Sequence, residues 1–105
     1  MALGKPQEAI EQYEWALRID PDYPQAHNSL GNARLQQGRV EEAIAHYEKA
    51  LHAWPDSADL HYNLGFALEK LGRTPEAIME YERVLNLRPD FTAARNALTR
   101  LGAGQ

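Results

Sequence analysis

Apolar residues along the chain recur at three- and four-residue intervals, which is the spacing of one face of an α-helix. In one stretch the apolar or small positions are Leu60, Leu64, Ala67, Leu68 and Leu71. In the next they are Ala77, Ile78, Tyr81, Val84, Leu85 and Leu87. Gly72 separates the two stretches, and Pro89 follows the second. Glycine ends a helix where the backbone turns left-handed, and proline cannot continue one. The pattern predicts two helices joined by a tight turn.

This two-helix pattern recurs along the chain with a constant spacing and without a gap. The recurring positions are Glu-Ala-Ile at 8–10, 42–44 and 76–78, Tyr13, Tyr47 and Tyr81, Leu17, Leu51 and Leu85, Pro-Asp at 21–22, 55–56 and 89–90, and Gly4, Gly38 and Gly72. A fixed period of about 34 residues is typical of stacked helical repeats, each of which buries its apolar face against the next.

Small residues are placed where two helices of one repeat must approach each other. Gly31 and Gly65 belong to first helices, and we expect them to face Ala43 and Ala77 of the second helices. Tyr47 and Tyr81 are expected to fill the space further along. Such spacing predicts a closely packed helical hairpin.

The recurring residues resemble the tetratricopeptide repeat. They are Leu30-Gly31, Gly38, Ala43, Tyr47, Ala50 and Pro55, then Leu64-Gly65, Gly72, Ala77, Tyr81, Val84 and Pro89. The chain departs from the family at His27 and His61, where an aromatic or large residue is usual, and at Arg34, where a large apolar residue is usual. The resemblance implies an all-α fold, a right-handed superhelical solenoid of antiparallel helix pairs with about six helices.

The repeat frame predicts a single domain over 1–105. A second helix of a partial repeat covers about 5–19, complete repeats cover 24–57 and 58–91, a first helix covers about 92–101, and 102–105 form a frayed tail. The terminal helices carry apolar residues, namely Ile10, Tyr13, Leu17, Leu98 and Leu101. Two interpretations follow: a piece of a longer array, or a self-assembly module whose unpaired terminal helices associate head to tail.

Composition narrows the class of partner. The formal net charge is −4, whereas nucleic acid and anionic membranes select a basic surface, so we expect neither as a partner. The chain has no cysteine, which excludes disulfides and thiolate ligands. It has no apolar run long enough to span a bilayer and no signal-like N-terminus. We therefore expect a cytoplasmic protein.

The polar residues do not form a recognisable catalytic or metal site. His27 and His61 are one repeat apart, which indicates packing, and His46 and His52 are expected to be structural or exposed. The glutamates of the second helices, including Glu42, Glu76 and Glu80, are expected on a solvated outer face. We predict no enzyme activity, no metal and no cofactor.

The resemblance instead implies a protein-binding scaffold, because first helices of this family line a concave groove that holds an extended peptide. The implied binding residues are Asn28, Asn32, Gln36, Asp59, Tyr62, Asn63, Phe66, Lys70 and Asn96, with Gln25, Ser29, Ala93 and Ala97 as further groove-facing positions. One subclass binds a chaperone C-terminal carboxylate through two asparagines and three basic residues. Asn32 and Asn63 match those asparagines, but Asn28, Ala93 and Ala97 replace the basic residues. A binding module of a larger enzyme, such as a glycosyltransferase, is a further alternative.

Two tryptophans replace charged residues of their repeat equivalents. Trp15 corresponds to Lys49 and Arg83, and Trp54 corresponds to Asp20 and Arg88. A large aromatic residue in place of a charge fits either a contact surface or local packing over a turn. Both interpretations remain open at the level of sequence.

Overall fold

The structure is a computed structural model that describes the backbone of residues 5–102 and the side chains of residues 7–102. Its helices are α1 (Lys5–Ile19), α2 (Pro24–Gln36), α3 (Val40–Ala53), α4 (Ala58–Lys70), α5 (Thr74–Leu87) and α6 (Thr92–Arg100). Residues 5–102 contain no strand. The predicted all-α class with about six helices is confirmed. Gly4 and residues 103–105 of the predicted tail lie outside the described residues.

The chain consists of two compact units, each with three of these helices. Unit 1 is Met1–Pro55 with α1, α2 and α3, and unit 2 is Asp56–Gln105 with α4, α5 and α6. Within each unit, helices that are consecutive in the chain pack against each other. The division of the sequence into partial and complete repeats stays a prediction.

The turns inside the two hairpins have the same hydrogen-bonded geometry. Gly38 has φ 78° and Gly72 has φ 82°, a left-handed conformation that side chains disfavour. The Arg39 amide donates to the Arg34 carbonyl at 2.8 Å, and the Gly38 amide donates to the Leu35 carbonyl at 3.0 Å. These two bonds form a Schellman motif, which satisfies the last carbonyls of α2. The predicted left-handed end at Gly72 is confirmed.

The hairpin cores are built from buried tyrosines that pack on glycines. A Cβ atom on Gly31 would lie 2.6 Å from Tyr47 Cε1, and one on Gly65 would lie 3.0 Å from Tyr81 Cε1. The nearest atoms of the second helix thus belong to the tyrosine rings, and Ala43 and Ala77, one turn earlier, are buried as well. The tyrosine ring lies directly against the glycine, because side chains lean toward the N-terminal end of their helix.

Candidate functional site

One face of α4 carries two aromatic rings and a lysine at successive turns. Tyr62 and Phe66 are half-buried, and Lys70 is exposed. The Tyr62 ring centroid lies 5.6 Å from that of Tyr81 and 5.3 Å from that of Phe91. Lys70 Nζ lies 5.1 Å from the centroid of the Phe66 ring. We call Tyr62, Phe66 and Lys70 the α4 aromatic surface. It combines apolar area held in place by packing with one positive charge.

Polar residues border the α4 aromatic surface within unit 2. Asp59, in the first turn of α4, is exposed, and its Oδ1 lies 3.9 Å from Arg88 Nη1. The Arg88 guanidinium lies 5.0 Å from the centroid of the Phe91 ring. Asn63 is half-buried, and Asn96 is exposed on α6. Sequence reasoning did not identify Arg88 or Phe91, because both lie in the turn region after α5 rather than on a first helix.

The two alanines proposed as groove-facing differ in exposure. Ala93 is exposed, as expected. Ala97 is buried at 1% exposure together with Ala94 and Leu98, so its assignment to a binding surface is wrong. The apolar face of α6 turns Ala97 toward the core of unit 2, where its small side chain permits close packing.

A carboxylate joins the three helices of unit 2. The Tyr81 hydroxyl donates to Glu69 Oε1 at 2.8 Å, and Arg100 Nη1 donates to Glu69 Oε2. The hydrogen bond from Arg100 lowers the pKa of Glu69, and burial, followed by the bond to Glu69, raises the pKa of Tyr81. Arg100 pairs with Glu69. Lys70, the other cation of this face, is exposed and has no described ion pair.

The predicted residues of α2 form a polar face in unit 1. Gln25, Asn32 and Gln36 are exposed, whereas Asn28 and Ser29 are half-buried. Burial raises the pKa of Tyr47 to about 12, so its hydroxyl is neutral. That hydroxyl donates to Asn32 Oδ1 at 2.5 Å. One acceptor position of the Asn32 side chain is therefore occupied within unit 1.

A largely apolar cavity of about 280 Å³ lies between α1 and α2. Its lining residues are Ala9, Ile10, Tyr13, Ser29, Asn32, Ala33, Gln36 and Gln37. The cavity thus combines predicted binding residues of α2 with an apolar face of α1. Sequence reasoning treated that face of α1 only as an uncapped end.

The buried histidine of unit 1 has two defined hydrogen bonds. His27 Nε2 lies 2.7 Å from the carbonyl oxygen of Pro21, and its Nδ1 lies 3.1 Å from His46 Nδ1. A carbonyl only accepts, so neutral His27 carries its proton on Nε2 and accepts at Nδ1 from His46. Burial, then the neighbouring His27, lowers the pKa of His46. The predicted packing role of His27 is confirmed.

The equivalent histidine of unit 2 pairs with a carboxylate. His61 Nδ1 lies 2.7 Å from Glu80 Oε1, and both side chains are largely buried. The expectation that Glu80 lies on the solvated face is therefore wrong. Glu80 is the repeat equivalent of His46, so it occupies the same position beside the buried imidazole. The other glutamates of the second helices are exposed, namely Glu8, Glu11, Glu14, Glu41, Glu42, Glu48, Glu76 and Glu82.

The remaining predicted features concern the ends of the chain and the tryptophans. Ile10 and Leu98 are buried within their own units, so they do not present the apolar ends that the sequence suggested. Tyr13, Leu17 and Leu101 are half-buried. Trp15 is 60% exposed and Trp54 is 48% exposed, so neither indole is part of a core. Self-assembly through the terminal helices stays a prediction.

Within residues 7–102, no three histidine, aspartate or glutamate side chains are grouped closely enough to hold a metal ion. None of the helices described has both the length and the hydropathy needed to cross a membrane.

Comparison with models of known protein families shows to which family the chain is related. Two models described as tetratricopeptide repeat match it, one over residues 1–58 and the other over residues 34–101. The chain belongs to the tetratricopeptide repeat (TPR) family. TPR repeats are generally non-catalytic modules of protein interaction. A search of curated proteins returned no match.

Solved structures resemble the TPR chain over almost its whole length. They include MamA (27% identity, TM-score 0.85, 99% of this chain and 63% of MamA). The first TPR of Spaghetti (RPAP3), bound to the HSP90 peptide SRMEEVD, is 27% identical with TM-score 0.87 over 94% of this chain and 79% of that one. A mutant of Thermobaculum terrenum O-GlcNAc transferase is 28% identical with TM-score 0.86 over 93% of this chain and 19% of that one. The chain thus spans less than two thirds of MamA and a smaller part of the transferase.

Proposed function

We propose that this TPR chain is a non-catalytic scaffold that binds a peptide segment of a partner protein on the exposed faces of its first helices. The observation that carries the proposal is the α4 aromatic surface, where Tyr62 and Phe66 remain partly exposed although they are large and aromatic. Aromatic residues of this kind supply most of the affinity at protein interfaces when a partner side chain covers them.

The bordering residues suit an extended peptide. Asp59 and Asn63 lie on α4 itself, and Asn96 is exposed on α6 of the same unit; in unit 1, Asn28, Asn32 and Gln36 separately form the polar face of α2. Amide side chains both donate and accept, so they pair with a peptide backbone whatever its side chains are. Lys70 adds a preference for an acidic residue next to the apolar side chain that covers Phe66. The expected ligand is therefore an extended segment with adjacent apolar and acidic residues.

The test begins with peptides selected from a random dodecapeptide display library on the purified chain. We expect Phe66→Ala to weaken binding of the selected peptides by about tenfold or more, because truncating an aromatic hot-spot residue typically costs about 2 kcal/mol or more. Lys70→Glu should weaken the binding of those selected peptides that carry acidic residues. Isothermal titration calorimetry measures both changes in affinity.

Matched controls lie on the exposed face of α5. Met79→Ala removes an exposed apolar side chain, and Arg83→Glu reverses an exposed charge. Both should leave affinity unchanged. Peptides that bind the Phe66→Ala and Lys70→Glu variants as tightly as the parent chain would show that α4 is not the binding surface.

The HSP90 peptide SRMEEVD bound by the Spaghetti TPR provides a second expected result. We expect this chain to bind that peptide weakly, with Kd above about 100 μM. The reason is that Asn28, Ala93 and Ala97 stand where the carboxylate-binding subclass has basic residues. Fluorescence anisotropy of a labelled peptide measures this.

Ala93→Lys adds a positive charge at an exposed position and should raise the affinity for SRMEEVD, whereas Ala93→Gln should not. Binding of the unaltered chain at low micromolar Kd would show that basic residues at positions 28, 93 and 97 are not needed to bind this peptide, and would refute this expected result.

A further inference from the structure

The two hairpins give an equivalent buried histidine different partners. His27 of α2 and His61 of α4 are one repeat apart, and they are 4% and 5% exposed. On the helix that faces each of them, His46 of α3 contacts His27, and Glu80 of α5 contacts His61. One contact therefore joins two bases, and the other joins a base to an acid. The two contacts must respond differently when the pH falls.

The geometry around His27 leaves room for one hydrogen between the two imidazoles of unit 1. His27 Nε2 lies 2.7 Å from the carbonyl oxygen of Pro21, so it carries a proton. His27 Nδ1 lies 3.1 Å from His46 Nδ1, and a hydrogen bond of this length contains a single hydrogen. In the neutral pair that hydrogen is donated by His46. His27 thus uses one ring nitrogen as a donor and the other as an acceptor.

The intact contact can take up one further proton but not two. A first proton can reside on Nε2 of His46, and the hydrogen bond between the two Nδ1 atoms then persists. A second proton would have to bind Nδ1 of His27, where two N–H groups would face each other across 3.1 Å. The ring centroids are 5.3 Å apart, so the two positive charges would also repel each other. The contact therefore breaks when both imidazoles are charged.

The charges that act on His46 oppose its protonation. Burial, followed by the neighbouring His27, lowers the pKa of His46 below its usual value of 6.5. Arg34 of α2 and Lys49 of α3 lower this pKa further, and Glu42 of α3 raises it. Because the unfolded chain takes up the proton at a higher pH than the folded chain, this contribution to stability is present above about pH 6.5 and is lost as the pH falls below that value.

The carboxylates of α1 and of the turn that follows it have other partners. Glu14 of α1 accepts a hydrogen bond from Arg34 Nη2 at 3.0 Å. Asp20 Oδ1 accepts from the backbone amide of Asp22 at 3.2 Å, and Asp22 borders a pocket that Lys49 of α3 also lines. Among the described side chains of unit 1, no carboxylate is hydrogen-bonded to either imidazole of the pair. A second positive charge is therefore not neutralised there.

The equivalent contact in unit 2 has no such limit. His61 Nδ1 lies 2.7 Å from Glu80 Oε1, and a carboxylate accepts this hydrogen bond whether the imidazole is neutral or charged. Protonation of the ring turns the hydrogen bond into a charge-assisted one. Position 80 is the repeat equivalent of position 46, so one residue in each hairpin determines how the hairpin responds to acid.

We propose that the His27–His46 contact is an acid-sensitive switch, which opens unit 1 when mild acid charges both imidazoles. The His61–Glu80 contact of unit 2 stays closed under the same conditions. The part released is the N-terminal end of α2, because His27 joins that end both to the turn at Pro21 and to α3. The switch concerns the conformation of unit 1 and does not depend on the peptide binding proposed for α4.

Hydrogen exchange tests the switch in the unaltered chain. Between about pH 7 and about pH 5 we expect the protection factors of amides in α2 and α3 to fall about tenfold, because one extra proton bound by the open state changes the equilibrium by up to about tenfold per pH unit. Amides in α4 and α5 should change by a smaller factor. NMR of the imidazole nitrogens should show that His27 and His46 together take up one proton while this protection persists.

Exchange of the partner residues assigns the effect to position 46. His46→Glu copies the contact of unit 2, and His46→Gln supplies an amide that donates or accepts, so each variant should lose most of the acid response of α2 and α3. Glu80→His should transfer such a response to α4 and α5. His52 is an exposed histidine of α3, and His52→Gln is the matched control that should leave the response unchanged.

Three outcomes overturn the proposal. One is an equal fall in protection in α2 to α5, and another is an acid response of α2 and α3 that persists in the His46→Gln variant. The third is uptake of a proton by each imidazole of the pair while α2 and α3 remain protected. A fall that is confined to α2 and α3 and is absent from the His46→Gln variant supports the proposal.

Discussion

Gly31→Ala is expected to lower the free energy of unfolding by about 2 kcal/mol. Alanine favours a helix over glycine by about 1 kcal/mol, but overpacking a filled core costs about 1–3 kcal/mol. A Cβ atom at this position would lie 2.6 Å from Tyr47 Cε1 and 2.9 Å from Cδ1, which places the cost at the upper end. Urea denaturation followed by far-UV circular dichroism measures the change.

Gly65→Ala is the graded control for this prediction. Its nearest atoms, Tyr81 Cε1 and Glu80 Cβ, lie at 3.0 and 3.2 Å, so the loss should be smaller than at Gly31. Combining Gly31→Ala with Tyr47→Leu should cost less than the sum of the single changes, because the smaller side chain leaves space for the methyl group. A Gly31→Ala variant that is more stable than the parent would mean that helix propensity outweighs the contact.

Glu80→Ala is expected to lower the free energy of unfolding by about 2 kcal/mol. The change removes the carboxylate 2.7 Å from His61 Nδ1 and leaves a buried imidazole without this partner. Hydrogen bonds to charged groups contribute about 1.5–3 kcal/mol, and Glu80 is 15% exposed, so solvent screens the pair little. The same denaturation measurement at neutral pH tests the effect.

The His27–His46 pair of unit 1 supplies the rescue for this variant. Glu80→His places at position 80 the residue that contacts His27 in unit 1, so it should restore part of the lost stability. Glu82→Ala is the matched control on the exposed face of α5 and should change stability by less than about 0.5 kcal/mol. Equal losses for the alanine and histidine variants would show that an imidazole at position 80 does not replace the carboxylate, so that the charge of Glu80 rather than a neutral hydrogen bond determines the effect.

The repeat period predicts which residues are equivalent, and this explains why several structural features could be predicted from the sequence. The all-α class, the left-handed Gly72 and the burial of His27 and His61 follow from positions that recur once in each repeat. Periodicity identifies the buried stripe of a helix without contacts being known. It does not give the direction in which a side chain leans along its helix, so it does not predict that the tyrosine rings lie directly against the glycines.

The hydrogen-bond partner of a side chain is a second property that the pattern cannot provide. The pattern places Glu80 in solvent because its neighbours Glu76 and Glu82 are exposed, but its helical angle turns it toward His61. The relevant signal lies in comparing repeats, where position 46 is histidine and position 80 is glutamate opposite a constant histidine. The side chains of histidine and glutamate can both hydrogen-bond an imidazole, whereas a position that faces only solvent does not require a residue with that ability.

The chemical type of the proposed binding residues can be predicted from the sequence, but their position in the structure can be predicted only in part. Tyr62, Phe66 and Lys70 share one face of α4, as i, i+4 and i+8 positions must. The family pattern assigns Ala97 to the same surface, but it is buried because α6 turns its alanines inward. The cavity beside α1 could not be predicted, since its volume depends on how closely two helices approach.

The positions of the two tryptophans give the molecule a spectroscopic asymmetry. Trp15 and Trp54 both belong to unit 1, and the sequence contains no other tryptophan. Indole emission therefore reports on unit 1 alone, whereas helical ellipticity arises from α1 to α6. Superimposable melting curves from the two signals would mean that both units lose their structure together. A difference between them would reveal which half of the chain comes apart first, with no label added.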